Sequence, residues 1–262
     1  ENLIDILIAG GLSESTMTES FREIVELGHQ YDVPVYPCIN WGFWQWWAFL
    51  DLGAGKHRTL KSWHKELRQE KTPSFVALSS WPGTMAAWRG AAMNLWNASP
   101  DGIYVFNGFH ATSIDIFREL GDPETMANKD KIFGVDRFEA DASFKEARET
   151  ELEPGKLLST HFPVSEDCTS KNISALRFRL HFWDLGENDN LALKLNHQPL
   201  RDLRAADPIR PPSGAQWLEC QLDPAQVRRG ENRIELMLRK RDDSMQRPLI
   251  LDAAQLHVRY RP

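Results

Sequence analysis

Two rhythms divide the chain. Up to about residue 120, short apolar runs alternate with segments whose apolar positions recur every three or four residues; beyond about residue 155 they recur every second residue. The runs at 3–9, 33–39 and 102–107 predict strands buried on both faces. After the first, Thr16-Met17-Thr18-Glu19 has capping-box form and opens a helix that turns Phe21, Ile24, Val25 and Leu27 inward and stops near Gly28. A second helix, capped by Thr84, carries Met85, Trp88, Ala92, Leu95 and Trp96 at helical steps, and a third covers 114–120. Asp122 and Glu124, between a helix end and a helix start, read as capping residues, and Asp5 as a structural aspartate within the first strand.

Strands alternating with helices predict parallel strands joined by right-handed crossovers. Three such units leave an open edge. The expected fold is therefore α/β, the C-terminal three β-α units of a (β/α)8 TIM barrel over residues 1–150, with an insertion at 41–83 holding an amphipathic helix around 56–70. Residues 124–154 are charged, helical to irregular, and close at Glu153-Pro154-Gly155, which reads as a linker. The period-two segments 176–182, 191–195, 217–222, 234–238 and 256–260 are separated by turn signals at Asn196-His197, Pro211-Pro212-Ser213-Gly214 and Gly230-Glu231-Asn232. They predict an antiparallel β-sandwich of jelly-roll type over 155–262.

Composition changes this picture in few places. The 262 residues suffice for one large or two ordinary domains, and a formal charge of −6 argues against a nucleic-acid partner. No apolar run approaches the roughly 20 residues of a membrane span. The N-terminus has neither Met nor a leader pattern and opens straight into an apolar run, so a fragment of a longer protein is expected. The three cysteines lack metal-ligand spacing; Cys38 reads as a core residue, while Cys168 and Cys220 could pair in an oxidising compartment or stay free. No cofactor and no metal are expected, and nothing indicates the oligomeric state.

Ten tryptophans are the unusual feature, and eight of them precede residue 97. Four cluster in 33–47, VPVYPCINWGFWQWW, where a strand runs into an aromatic loop. Barrel active sites form at the C-terminal strand ends, so chemistry is sought just after residues 9, 39 and 106. Glycoside hydrolysis needs carboxyl groups there. Glu14 is the sole acid after the first strand; it could serve as general acid/base or be a solvated loop residue. Asn40 and Asn107 could hydrogen-bond sugar hydroxyls or local backbone, and His110 could do the same, shuttle a proton or be a plain loop residue. Trp41, Trp44 and Trp46 could stack on sugar rings, whereas Trp44 and Trp47 could instead pack the insertion onto the barrel. Trp88 and Trp96 read as core. In the second half, Trp183-Asp184 and Asn188-Asp189-Asn190 are the candidate sugar or calcium contacts, although DLGENDN lacks a calcium-loop register.

The series IDILIAGG, FREIVELGHQYDVPVYPCI, WRGAAMNLWNASPDGIYVFNGF and FRELGDPETMANKDKIF resembles the end of the glycosyl-hydrolase-like family 10 barrel, a bacterial TIM-barrel family. Matched in order, these pieces correspond to strand six through helix eight. DNLALKLNHQPL and PAQVRRGENRIELML are similar to the galactose-binding-like sandwiches that follow such barrels. The resemblance implies a glycoside hydrolase acting on polysaccharide or oligosaccharide, secreted or periplasmic. It also implies a main catalytic carboxylate on strand four, upstream of residue 1, so that this chain alone would be inactive. A carbohydrate-binding protein without catalysis, or a structural sandwich that docks the barrel, are the alternatives.

Overall fold

The computed structural model describes residues 3–10, 20–40, 47–48, 83–106, 114–136, 150–206 and 215–262. The first half is a three-stranded parallel sheet of β1 (Leu7–Gly10), β2 (Val35–Asn40) and β3 (Tyr104–Phe106), in that order. Helix α1 (Ser20–Gln30) links β1 to β2, α2 (Thr84–Trp96) precedes β3, and α3 (Ile114–Leu120) follows it. Only β2 is buried on both faces. Leu3, Ile4 and Ile6 are exposed and precede the paired segment, because the ladder with β2 begins at Leu7 opposite Val35. Asp5 is likewise exposed, outside the strand.

Helix α1 runs past the expected stop at Gly28. The helical period puts Phe21, Val25 and Gly28 on the buried face and leaves Leu27 exposed. Gly28 is a packing position, since a Cβ there would lie 2.3 Å from Val35 Cγ2. Helix α2 starts from Gly83 with no side-chain cap, and Thr84 is buried in its first turn instead. Asp122 does cap, accepting the Glu124 amide at 2.9 Å at the start of a short 3-10 turn.

The second half is two antiparallel sheets. One is ordered β10 (Arg204–Ala205), β11 (Ala215–Gln221), β7 (Ile173–Trp183), β13 (Leu249–Tyr260) and β4 (Lys131–Asp136), with β5 (Thr150–Leu152) also on β13. The other is β6 (Leu157–Val164), β12 (Gly230–Lys240), β8 (Asn190–Leu195) and β9 (Gln198–Pro199). Phe178, Phe182, Leu256 and Phe133 from one sheet share a buried core with Phe162, Leu195, Ile234 and Leu236 from the other. All five period-two segments are strands. Asn196 and His197 both have positive φ, 51° and 67°, the twist a two-residue hairpin needs between β8 and β9.

The region read as charged and helical to irregular supplies β4 and β5. Both run along one edge of β13: β5 opposite Leu249–Leu251 and β4 opposite Ala253–Val258, with an irregularity between Leu251 and Ala253 where β13 meets β7. That shift restarts the alternation, so Leu249 and Leu251, then Ala254, Leu256 and Val258, all face the sandwich core.

The outer face of the six-stranded sheet is covered. Trp183, Trp217, Ile250, Ala253 and Ile132 join one core with Trp88, Ala87, Ala92 and Leu95 of α2 and with Ile39. Helix α2 is apolar nearly all round and buried on several sides, as such a helix must be. Gly90 permits the closest approach: a Cβ there would lie 1.9 Å from the Ile132 carbonyl oxygen of β4. Asn94 extends the joint, accepting the Ser165 amide at 3.1 Å and hydroxyl at 2.8 Å while donating to the Pro163 carbonyl at 3.2 Å.

Candidate functional site

Strand register defines the two faces of the parallel sheet. Leu7 pairs with Val35, Gly10 with Cys38 and Asn40 with Phe106, so Ile8, Tyr36, Cys38, Asn40, Tyr104 and Phe106 share one face. Ala9, Ile39 and Val105 lie on the other, packed in the core with Phe21 and the α2 residues. Among the described residues, the helices therefore cover one face only. On the opposite face Ile8, Tyr104 and Phe106 remain exposed.

Asn40 stands at the C-terminal end of β2, half-buried, on the face opposite α1 and α2 and level with Phe106. Below it Cys38 is buried; desolvation pushes its thiol up, partly offset by a hydrogen bond from the Phe106 backbone. Gly10 ends β1 with φ of 96°, and a Cβ there would meet Phe21 at 3.2 Å and the Cys38 carbonyl oxygen at 3.3 Å. The candidates Glu14, Trp41, Trp44, Trp46, Asn107 and His110 lie outside the described residues. Each follows in sequence the C-terminal end of one of these three strands.

Other candidates belong to the framework. Trp47 and Trp88 are fully buried, and Trp96 donates its indole N–H to the Leu120 carbonyl at 2.9 Å. Trp183 is buried at the joint between the two halves and donates its indole N–H to Asp252 at 2.9 Å, so it is no sugar contact. Asp189 accepts the Gly186 amide and the Asp242 amide, each at 2.7 Å, and pairs with Arg241. Its oxygens brace a turn and are not free for a cation. Among the described residues no group of acids, histidines or cysteines is placed to hold a metal.

Asp242 completes that brace. The Ser244 hydroxyl and the Asn188 and Ser244 amides donate to it, holding its carboxyl at about 2, against an ordinary 3.8. A carboxyl whose folded value is depressed adds stability above its unfolded value and loses it as pH falls toward the folded one. Urea midpoints should therefore fall as pH drops from about 4 toward 2, and Asp242→Asn should flatten that fall.

The two sandwich cysteines are free and buried in one core cluster, so the disulfide is not formed. Desolvation pushes Cys168 to about 12 and Cys220 to about 11. Thiolates being the reactive form, a thiol reagent at neutral pH should label neither residue in the native protein and all three cysteines in denaturant. Fast native labelling of either would contradict this burial.

The buried residues that the sequence analysis did not single out are polar ones on the outer sheet face. His181 and Gln255 are fully buried and His257 nearly so. His181 Nδ1 lies 3.3 Å from Asp252 Oδ2, and its ring meets Trp183 and Trp217 edge-on at 5.2 and 4.9 Å. Burial, then the charges of Arg179, Arg259 and Arg177, lower the His257 value well below that of a free histidine. Alternation with the core-facing Leu180, Phe182, Ala254 and Leu256 puts these side chains on the face away from the sandwich core. It carried no sign that α2 and its surroundings would cover that face.

No protein-family model matches the chain, and no curated protein matches it. Among solved structures it is similar to a β-porphyranase of glycoside hydrolase family 86 from the human gut bacterium Bacteroides plebeius. That match has 10% identity over 52% of this chain and 22% of that one, with a TM-score of 0.33. It is also similar to BuGH86 in complex with neoagarooctaose, at 14% identity over 51% and 20% of the two chains, TM-score 0.33. Dimeric latent PorU from Porphyromonas gingivalis matches at 8% identity over 50% and 13%, TM-score 0.30. The chain spans about a fifth of the length of the first two structures. No helix among the described residues is long and apolar enough to cross a membrane.

Proposed function

We propose that this chain is the C-terminal part of a (β/α)8 barrel with a following β-sandwich, from a glycoside-hydrolase-like protein that acts on polysaccharide or oligosaccharide. The observation that carries the reading is that, among the described residues, helices lie on one face of the sheet only. Three parallel strands in sequence order have helices on one face and, on the other, exposed Ile8, Tyr104 and Phe106 beside Asn40. A closed barrel would turn that face inward and pack it. Among the described residues the outer edges of β1 and β3 are unpaired, as barrel closure requires. Asn40 then sits at the rim from which substrate is approached. The residue resemblance to the glycosyl-hydrolase-like family 10 barrel supplies the substrate class and a secreted or periplasmic location.

In this reading Glu14 is the acid available as general acid/base, and Asn40, Asn107 and His110 hydrogen-bond sugar hydroxyls. Trp41, with Trp44 or Trp46, stacks against the sugar. The partner carboxylate lies on a strand outside these residues, so the 262-residue chain alone should release no reducing sugar. The deciding experiment is reducing-sugar release by the full-length protein across a polysaccharide panel, with Glu14→Gln. Loss of general acid/base catalysis should cut kcat by about 10²- to 10⁴-fold. Release unchanged by Glu14→Gln would move the acid elsewhere. Binding without release on any substrate would establish instead a carbohydrate-binding protein whose barrel does no chemistry.

A further inference from the structure

We propose that the outer face of the six-stranded sheet carries an oxyanion-binding site, built from Arg177 and Arg204 around Glu219. It stands apart from the strand ends of the parallel sheet and does not depend on the carbohydrate reading. Register places Arg204, Glu219, Arg179 and Gln255 in one row across β10, β11, β7 and β13. Gln221, Arg177 and His257 form the next row, two residues along each strand and therefore on the same face. The end of this face that bears Trp183 and Trp217 packs against α2. Arg177 and Arg204 remain open, with side chains 48% and 74% accessible.

Charge decides the class of ligand. Arg177, Arg179 and Arg204 converge on the single carboxylate of Glu219, at 3.7, 3.8 and 3.8 Å. A charge-assisted N–H···O bond is shorter, about 2.7–2.9 Å. Glu219 therefore offsets part of the charge without taking up the donors of Arg177 and Arg204. Three guanidinium groups against one carboxylate leave two positive charges in excess. Arg179 is held over the Trp217 ring, 4.2 Å from its centroid, so the two exposed arginines supply the open donors. Arg259 adds nothing to the excess, because Asp130 matches it at 2.5 Å.

Two buried side chains report the same shortage of acceptors. Gln255 Oε1 is engaged with His257 Nε2 at 2.8 Å, while its fully buried Nε2 has no acceptor. That open donor lies in the row of Arg179 and Glu219. His257 feels the charge directly: burial, then Arg179, Arg259 and Arg177, hold it well below a free histidine and hence neutral at pH 7. Guanidinium groups are donor-only forks that match the paired oxygens of an oxyanion. The excess positive charge repels a metal cation, and a neutral ligand would leave that excess unmatched.

The test is an NMR titration of the 262-residue chain with sodium phosphate, sulfate and acetate in turn, at about pH 7 and constant ionic strength. At least one anion should shift the side-chain N–H signals of Arg177 and Arg204 saturably. Acetate separates a carboxylate ligand from a tetrahedral one. Arg177→Gln and Arg204→Gln should each weaken binding about tenfold, the loss of a charge-assisted hydrogen bond. Glu219→Gln should tighten it several-fold, because the carboxylate competing for the arginines becomes neutral. Arg229→Gln, exposed and outside both rows, should leave binding intact. Unsaturable shifts with all three anions would overturn the site, as would saturable binding unchanged in both arginine variants.

Discussion

Gly90→Ala is expected to destabilise the protein although it improves a helix. Helix propensity alone favours alanine over glycine by about 1 kcal/mol in a helix interior. Here the added methyl would lie 1.9 Å from the Ile132 carbonyl oxygen, which is backbone and itself part of the β4–β13 ladder. The strain cannot be relieved by turning a side chain. Helix α2 and strand β4 must separate, which loosens the core that joins Trp88 and Leu95 to Trp183 and Ile250. Overpacking of this kind typically costs about 1–3 kcal/mol and more when backbone must move. A net loss of about 2 kcal/mol should lower Tm by several degrees in a chain of this size. Gly121→Ala is the matched control, because its Cβ would meet only the Phe117 carbonyl oxygen at an ordinary 3.7 Å. A Gly90→Ala variant that melts higher than the parent would show that the helix and strand do not meet as described.

The second large effect concerns where the sandwich can be cut. A chain beginning at residue 155 follows the linker signal at Glu153-Pro154-Gly155, yet it removes β4 and β5. Both edge segments of β13 would then be unpaired. Phe133 and Leu152 would leave the sandwich core, and Glu166 would lose its buried ion-pair partner Lys131, 2.7 Å away. Each large apolar side chain removed from the core forfeits about 1.5–3 kcal/mol, against a total stability of about 5–15 kcal/mol. Residues 155–262 alone should therefore unfold without a cooperative transition and bind a hydrophobic dye. Residues 131–262 should regain cooperativity but melt below the whole chain, since Trp183, Trp217 and Ile250 would still lack α2. A sharp transition for 155–262 matching that of the whole chain would refute the argument.

These two experiments mark the boundary of what was legible. Segments 176–182, 191–195, 217–222, 234–238 and 256–260 could be read as strands because one side of each faces a core, and alternation records that directly. Strand β4, KIFGVD, does not alternate cleanly. It begins with Lys131, whose buried ammonium reads as a surface residue until Glu166 and the Tyr260 ring, 4.7 Å away, are placed beside it. Gly28 misled for a related reason: read as a helix stop, it is a position where α1 packs against β2, as Gly90 is where α2 packs against β4.

The same division runs through the candidate site. That Asn40 ends a strand was readable, because VYPCI is a compact apolar run that turns polar at Asn40. Its presence on the face opposite α1 and α2, beside Phe106, depends on register with β1 and β3, and a one-residue slip would reverse it. The sequence by itself determined the periodicities, and with them the parallel β-α half, the antiparallel half and the strand ends where polar residues collect. The tertiary structure alone decided that β4 belongs to the sandwich, that α2 is packed between the two halves, and that His181 and Gln255 are buried. Those outcomes depend on contacts between residues distant in the chain, and local hydrophobic patterning registers only that a side chain is covered, never by what.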